Sequence, residues 1–211
     1  MAPLSPHQFP PITADEARGD SQAVTPEHFQ QIAQKGHDYL AGTARKTSTA
    51  GLDADWEGVK EHAWQKTRES WGGVTINSHT GEDPSSGKDL GAAEAKRQGV
   101  GHGLDRYAVT ARQPGQEQIS VPENVSRHQF GGAMDKARES YPQLGNRGHH
   151  LGVFHDDEKG TIDIDPVVVV RTRDMADAVG AASHSVGGAY HFASGNGAFA
   201  PHVKGSGSDG S

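Results

Sequence analysis

The chain has 211 residues, with 20 Lys and Arg against 27 Asp and Glu, a net charge of −7 and no Cys. These counts exclude a disulfide framework and a cysteine-based metal centre, and they make the chain a poor electrostatic match for nucleic acid. No apolar run reaches the roughly 18 residues that a membrane span needs, so neither a nucleic acid nor a membrane is an expected partner.

Leu, Ile, Val and Phe make up only 34 residues, and 24 of these lie between positions 74 and 200. Burial of apolar area is what offsets backbone entropy, so the best-packed core is expected in that stretch. Residues 1–24 carry Pro3, Pro6, Pro10 and Pro11 among polar neighbours and read as a disordered or extended arm. They lack the basic start and apolar centre of a secretory signal. The sequon Asn124-Val125-Ser126 and the tripeptide Arg18-Gly19-Asp20 are short enough to arise by chance.

A helical pair is expected over 25–72. Thr25-Pro26-Glu27 combines a capping hydroxyl, proline at the first helical position and an acid in the first turn. Phe29, Ile32, Ala33, Gly36 and Leu40 then share one face, with Gly42 as a stop. Asp53 is placed to cap a second helix whose face holds Trp56, Val59, Ala63 and Thr67. All three tryptophans, Trp56, Trp64 and Trp71, fall here. They suit packing between helices or against the main domain, and they also suit a partner-binding surface, where Trp is a frequent anchor.

An α+β domain is expected over 73–203. Residues 74–77 read as a strand followed by a turn. Residues 81–103 read as a long polar, Gly-rich loop with at most one short helix near 92–98. Strands at 107–111 and 118–121 are joined by a turn at Gln113-Pro114-Gly115-Gln116. Ser126 caps a helix through Phe130, Ala133, Met134, Ala137 and Tyr141, ended by Pro142 and Gly145. Strands at 150–155 and 161–170 flank the turn Asp156-Asp157-Glu158-Lys159-Gly160. Asp174, Met175, Ala178, Val179 and Ala182 mark another helix. A last strand at 189–193 precedes an Asn196-Gly197 hairpin turn and the closing residues 198–200. Hairpins alternating with helices indicate an antiparallel sheet of hairpins with helices on one face. The valines at 167–170 are apolar on both faces and predict a central strand. Residues 204–211 have the composition of a flexible Gly/Ser tail.

Thirteen histidines raise the question of a metal or an enzyme. The densest group is His149, His150 and His155 with Asp156, Asp157, Asp163 and Asp165. Strand alternation puts Asp163 and Asp165 on one face. If Phe154 packs beside Ile162, His155 joins them there. Imidazole and carboxylate on one face could do acid–base work or bind a divalent metal, which makes His150, His155, Asp163 and Asp165 the catalytic candidates. The other reading is a hairpin with a solvated acidic face. There is no HExxH, and the DxD pair runs into Pro166 rather than a calcium loop. Gly81 to Lys88 fails as a phosphate loop, because five residues separate its glycines and Asp89 follows Lys88. Gly99-Val100-Gly101-His102-Gly103 reads as a plain loop. No GxSxG elbow occurs. No cofactor or resident metal is therefore expected.

The runs "HLGVFHDDEKGTIDIDPVVVV", "DMADAVGAASHSVGGAYHF" and "GNGAF", with "GGVTINSHTGE" and "YAVTARQPGQEQISVPE" upstream, resemble a family of small proteins of actinobacteria and their tailed phages. The likeness covers about residues 72–200 and rests on fold-forming residues. It implies a phage or mobile-element context, in the host cytoplasm or the virion, and it carries over no catalytic residues. The expectation is a non-enzymatic accessory or virion-associated protein that contacts a protein partner, either a virion component or a host protein. The alternatives are a metal-dependent hydrolase using the His155/Asp163/Asp165 hairpin face and an inhibitor of a host defence protein. Composition leaves the oligomeric state open.

Overall fold

The computed structural model describes residues 23–44, 55–68, 73–78, 81–84, 106–146, 148–157, 159–183, 189–192, 196–198 and 201–203. The arm as far as residue 22, the Asp53 cap, Trp71, the segment 85–105 with its expected helix and glycine cluster, and the tail lie outside the described residues.

Among the described residues, four α-helices form where local signals place them. Helix α1 (Pro26–Ala44) starts at Thr25, whose hydroxyl accepts the His28 amide at 3.2 Å. It runs through Gly42 rather than stopping there, since one Gly costs a helix only about 1 kcal/mol. Helix α2 (Trp56–Lys66) begins after Asp55. Helix α3 (Arg127–Ser140) opens on a reciprocal cap: Ser126 Oγ accepts the Gln129 amide and Gln129 Oε1 accepts the Ser126 amide. Helix α4 (Arg173–Ala182) is capped by Thr172. Ser126→Ala removes one side of the α3 cap. It should lower stability by about 1 kcal/mol, read as a shift in the urea midpoint with an unchanged slope.

The strands among the described residues are β1 (Ala23–Val24), β2 (Gly73–Asn77), β3 (Tyr107–Thr110), β4 (Ile119–Pro122), β5 (His149–Asp156), β6 (Thr161–Val170), β7 (Ala189–His191), β8 (Asn196–Ala198) and β9 (His202–Val203). The main sheet is antiparallel, in the order β2-β5-β6-β3-β7-β8, with β4 also against β6. The fold is α+β, and β6 with its valine run lies inside the sheet, as its two-sided apolar pattern indicates.

Residues paired across an antiparallel ladder point to the same face. Val74, Ile76, Val109, Ile119, Leu151, Val153, Ile162, Ile164 and Val168 therefore share one face, and all of them are buried. The helices cover this face. Phe130 and Met134 of α3 with Val59 and Ala63 of α2 form one apolar cluster on it. Ala176 and Val179 of α4, joined by Tyr39 and Leu40 of α1, form a second. The two N-terminal helices precede the sheet and dock on it at separate places, α2 beside α3 and α1 on α4.

Three details differ from expectation. First, β3 and β4 do not form a hairpin. Both pair with β6, end to end, with Tyr107 opposite Val170 and Pro122 opposite Thr161. The ten residues of β6 offer more edge than either short strand. The Gln113–Gln116 turn does form, within an excursion held down by Gln143 Nε2 on the Ala111 carbonyl and Tyr141 Oη on the Glu117 carbonyl. Second, Asn196 and Gly197 lie within β8, paired with His191 and Tyr190, rather than in a turn. Third, β1 and β9 form a separate parallel pair that ties residues 23–24 to 202–203.

Candidate functional site

The candidate residues lie on the β5–β6 hairpin, whose geometry follows from its turn. Gly160 has φ +63°, a conformation open to glycine, and Asp156 accepts the Lys159 amide at 3.1 Å. The loop takes four residues, Asp156 faces Thr161, and the pairs His155–Ile162, Phe154–Asp163 and Gly152–Asp165 follow. The expectation that Phe154 packs beside Ile162 is one residue out of register, and such a slip moves every side chain to the other face. His155 thus lies on the helix-covered face, while Asp163, Asp165 and His150 lie on the opposite one with Phe154. The hairpin does not bring His155 to Asp163 and Asp165.

On the face opposite the helices, Asp163 is buried and accepts hydrogen bonds from Ser120 Oγ at 2.6 Å and Thr161 Oγ1 at 3.2 Å. Asp165 lies 3.3 Å from Arg112 Nε, with 14% of its side chain exposed. Burial pushes the Asp165 carboxyl up to about 6; Arg112 opposes that rise and Asp163 adds to it. His150 is buried opposite Val167. Gly152 is required beside it, because a Cβ there would stand 2.5 Å from Val167 Cγ2. His149 turns to the helix face, where burial drives its imidazole down to about 4.

His155 has other company. Its Nε2 lies 3.2 Å from Glu123 Oε2 and its Nδ1 lies 3.3 Å from Asp157 Oδ1. Glu123 follows β4, and its amide donates to the Gly160 carbonyl at 2.9 Å. Three elements, the end of β4, the end of β5 and the β5–β6 turn, therefore place two carboxylates around one imidazole. One donor atom of each residue lies within 4.8 Å of the other two. Glu123 escaped the sequence reading because only the β4–β6 pairing brings it to His155, 32 residues away. Asp157 belongs to the group of histidines and acids evident in the sequence, without being one of its four catalytic candidates.

The chain matches no family model, no curated protein and no solved structure.

Trp56 and Trp64 lie where α2 meets α3. The Trp56 indole donates to Asp135 at 2.7 Å, and Asp135 also accepts from Lys60 at 3.2 Å. Trp64 packs on Phe130 with ring centroids 5.4 Å apart. The Arg68 guanidinium lies 3.7 Å over its ring, a cation–π arrangement. Both rings thus help to dock α2 on the domain. No helix among the described residues is long and apolar enough to cross a membrane.

Proposed function

We propose that the chain is a non-enzymatic accessory or virion-associated protein of a phage or mobile element that works through protein–protein contacts. The phage or mobile-element context rests on the sequence resemblance over about residues 72–200, and the observation that carries the protein-contact role is Phe154, 54% exposed on the sheet face opposite the helices. A Cβ at Gly73, on the neighbouring strand, would stand 3.4 Å from its ring, so the absence of a side chain there leaves one flank of the ring open. An exposed aromatic on a rigid strand offers contact area at low entropic cost, and such residues anchor interfaces.

Two further facts favour binding over catalysis. Asp163 is held by Ser120 and Thr161 and Asp165 stands against Arg112, as suits residues that fix the sheet. Of the turn's acids, the described ones are likewise engaged, Asp156 with Lys159 and Asp157 with His155.

The test is recovery of a partner with the tagged full chain from infected or lysogenic host cells. One defined protein, or virions, should be retained by the wild type and lost with Phe154→Thr, which keeps a strand-favouring residue and places no new charge opposite Asp163, with circular dichroism checking that the fold is kept. Equal recovery by both proteins, or no partner for the wild type, would overturn the reading.

A further inference from the structure

We infer that Glu123, His155 and Asp157 form a binding site for a divalent transition-metal ion of the zinc class. The site is distinct from the Phe154 surface, because His155 and Phe154 point to opposite faces of β5. Its residue types decide the class of ion. Imidazole nitrogen favours zinc and its neighbours over magnesium and calcium, which prefer all-oxygen shells. One imidazole with two carboxylates is a mixed nitrogen–oxygen set that leaves room for water in the remaining position of a tetrahedral ion.

The geometry favours assembly at low cost. The His155 side chain is only 17% exposed and sits on a paired strand, so the nitrogen donor is already ordered. The two carboxylates face opposite ring nitrogens, and a histidine ligates through one of them. Glu123, 56% exposed and longer than Asp157, is the side chain free to swing to the nitrogen that binds. Arg68, the cation bonded to this segment, reaches the Glu123 backbone carbonyl at 2.8 Å and so points its charge at the main chain rather than at the carboxylate.

The experiment uses the full chain, stripped with chelator and titrated with Zn²⁺ alone by calorimetry, with native mass spectrometry for stoichiometry. The other histidines could bind zinc adventitiously, so the variants carry the decision. The expected result is one saturable site of micromolar affinity. It should be weakened at least tenfold by Glu123→Gln and Asp157→Asn, lost with His155→Ala, and unchanged by His128→Ala at an exposed position on α3. Glu123→Gln alters an exposed side chain and settles the matter even if His155→Ala fails to fold. Absence of saturable binding, or binding that Glu123→Gln leaves intact, would overturn the assignment.

Discussion

Gly36→Ala should destabilise the chain by about 2–3 kcal/mol, while Gly42→Ala six residues along the same helix should stabilise it by about 0.5 kcal/mol. The two substitutions are chemically identical and differ only in what the new methyl meets. At Gly36 a Cβ would stand 2.0 Å from the Ala178 carbonyl oxygen and 2.8 Å from Ala182 Cβ. The first of these atoms is backbone and cannot rotate aside. Helix α1 would have to lift from α4, withdrawing Tyr39 and Leu40 from the second apolar cluster. The gain in helix propensity, about 1 kcal/mol for Gly to Ala, offsets part of that loss. At Gly42 nothing lies within 4 Å, so only the propensity gain remains. Urea unfolding of the two variants checks the docking of α1 directly. If both changed stability in the same direction, the close α1–α4 contact would be wrong.

The helices were legible because their signals are local. Thr25 before Pro26, Ser126 three residues before Gln129, and Thr172 before Met175 each satisfy a helix start from within a few residues. Even the close contact left a trace: Gly36 sits on the apolar face of α1 among Phe29, Ile32 and Leu40, where a small residue admits another helix. Strand pairing was less legible, because it is decided by distant partners. β1 and β9 are two residues each and lie at opposite ends of the described chain. β3 and β4 each read as half of a hairpin, yet the longer β6 takes both. The candidate site shows the same division. His155, Asp163 and Asp165 could be picked out singly as chemistry-bearing residues. Their grouping depended on the length of one turn, and a four-residue loop in place of a shorter or longer one decides which side chains meet. Glu123 and Arg112 entered only through the pairing of β4 and the excursion before it.

Replacing Asp165 or His149 should give stability profiles of opposite slope between pH 4 and 6. Both residues pair along β5 and β6, and both resist ionisation because they are buried. Asp165 holds its proton up to about pH 6 in the fold but only to about 3.9 in the unfolded chain. Between these values the folded state binds the extra proton, so this contribution to stability falls as pH rises. His149 is 3% exposed, and its Nδ1 has no hydrogen-bond partner among the described residues. It is neutral in the fold down to about pH 4, against about 6.5 unfolded. Here the unfolded state binds the extra proton, so this contribution rises with pH. Each spans somewhat more than two pH units, or about 3 kcal/mol as an upper bound. Over the shared window the two slopes offset in the wild type. In Asp165→Asn the His149 slope is no longer offset, and stability should climb by up to about 3 kcal/mol from pH 4 to 6.5. In His149→Leu, which keeps an apolar side chain against the core and breaks no bond at Nδ1, stability should fall by a similar amount from pH 4 to 6. Urea unfolding free energies at half-unit pH steps give both profiles. If the two variants ran parallel to each other, the burial of these groups could not be the source of their behaviour. Opposite slopes would show that one acid and one base, buried on opposite faces of the same sheet, keep the stability of the fold level across the mildly acidic range.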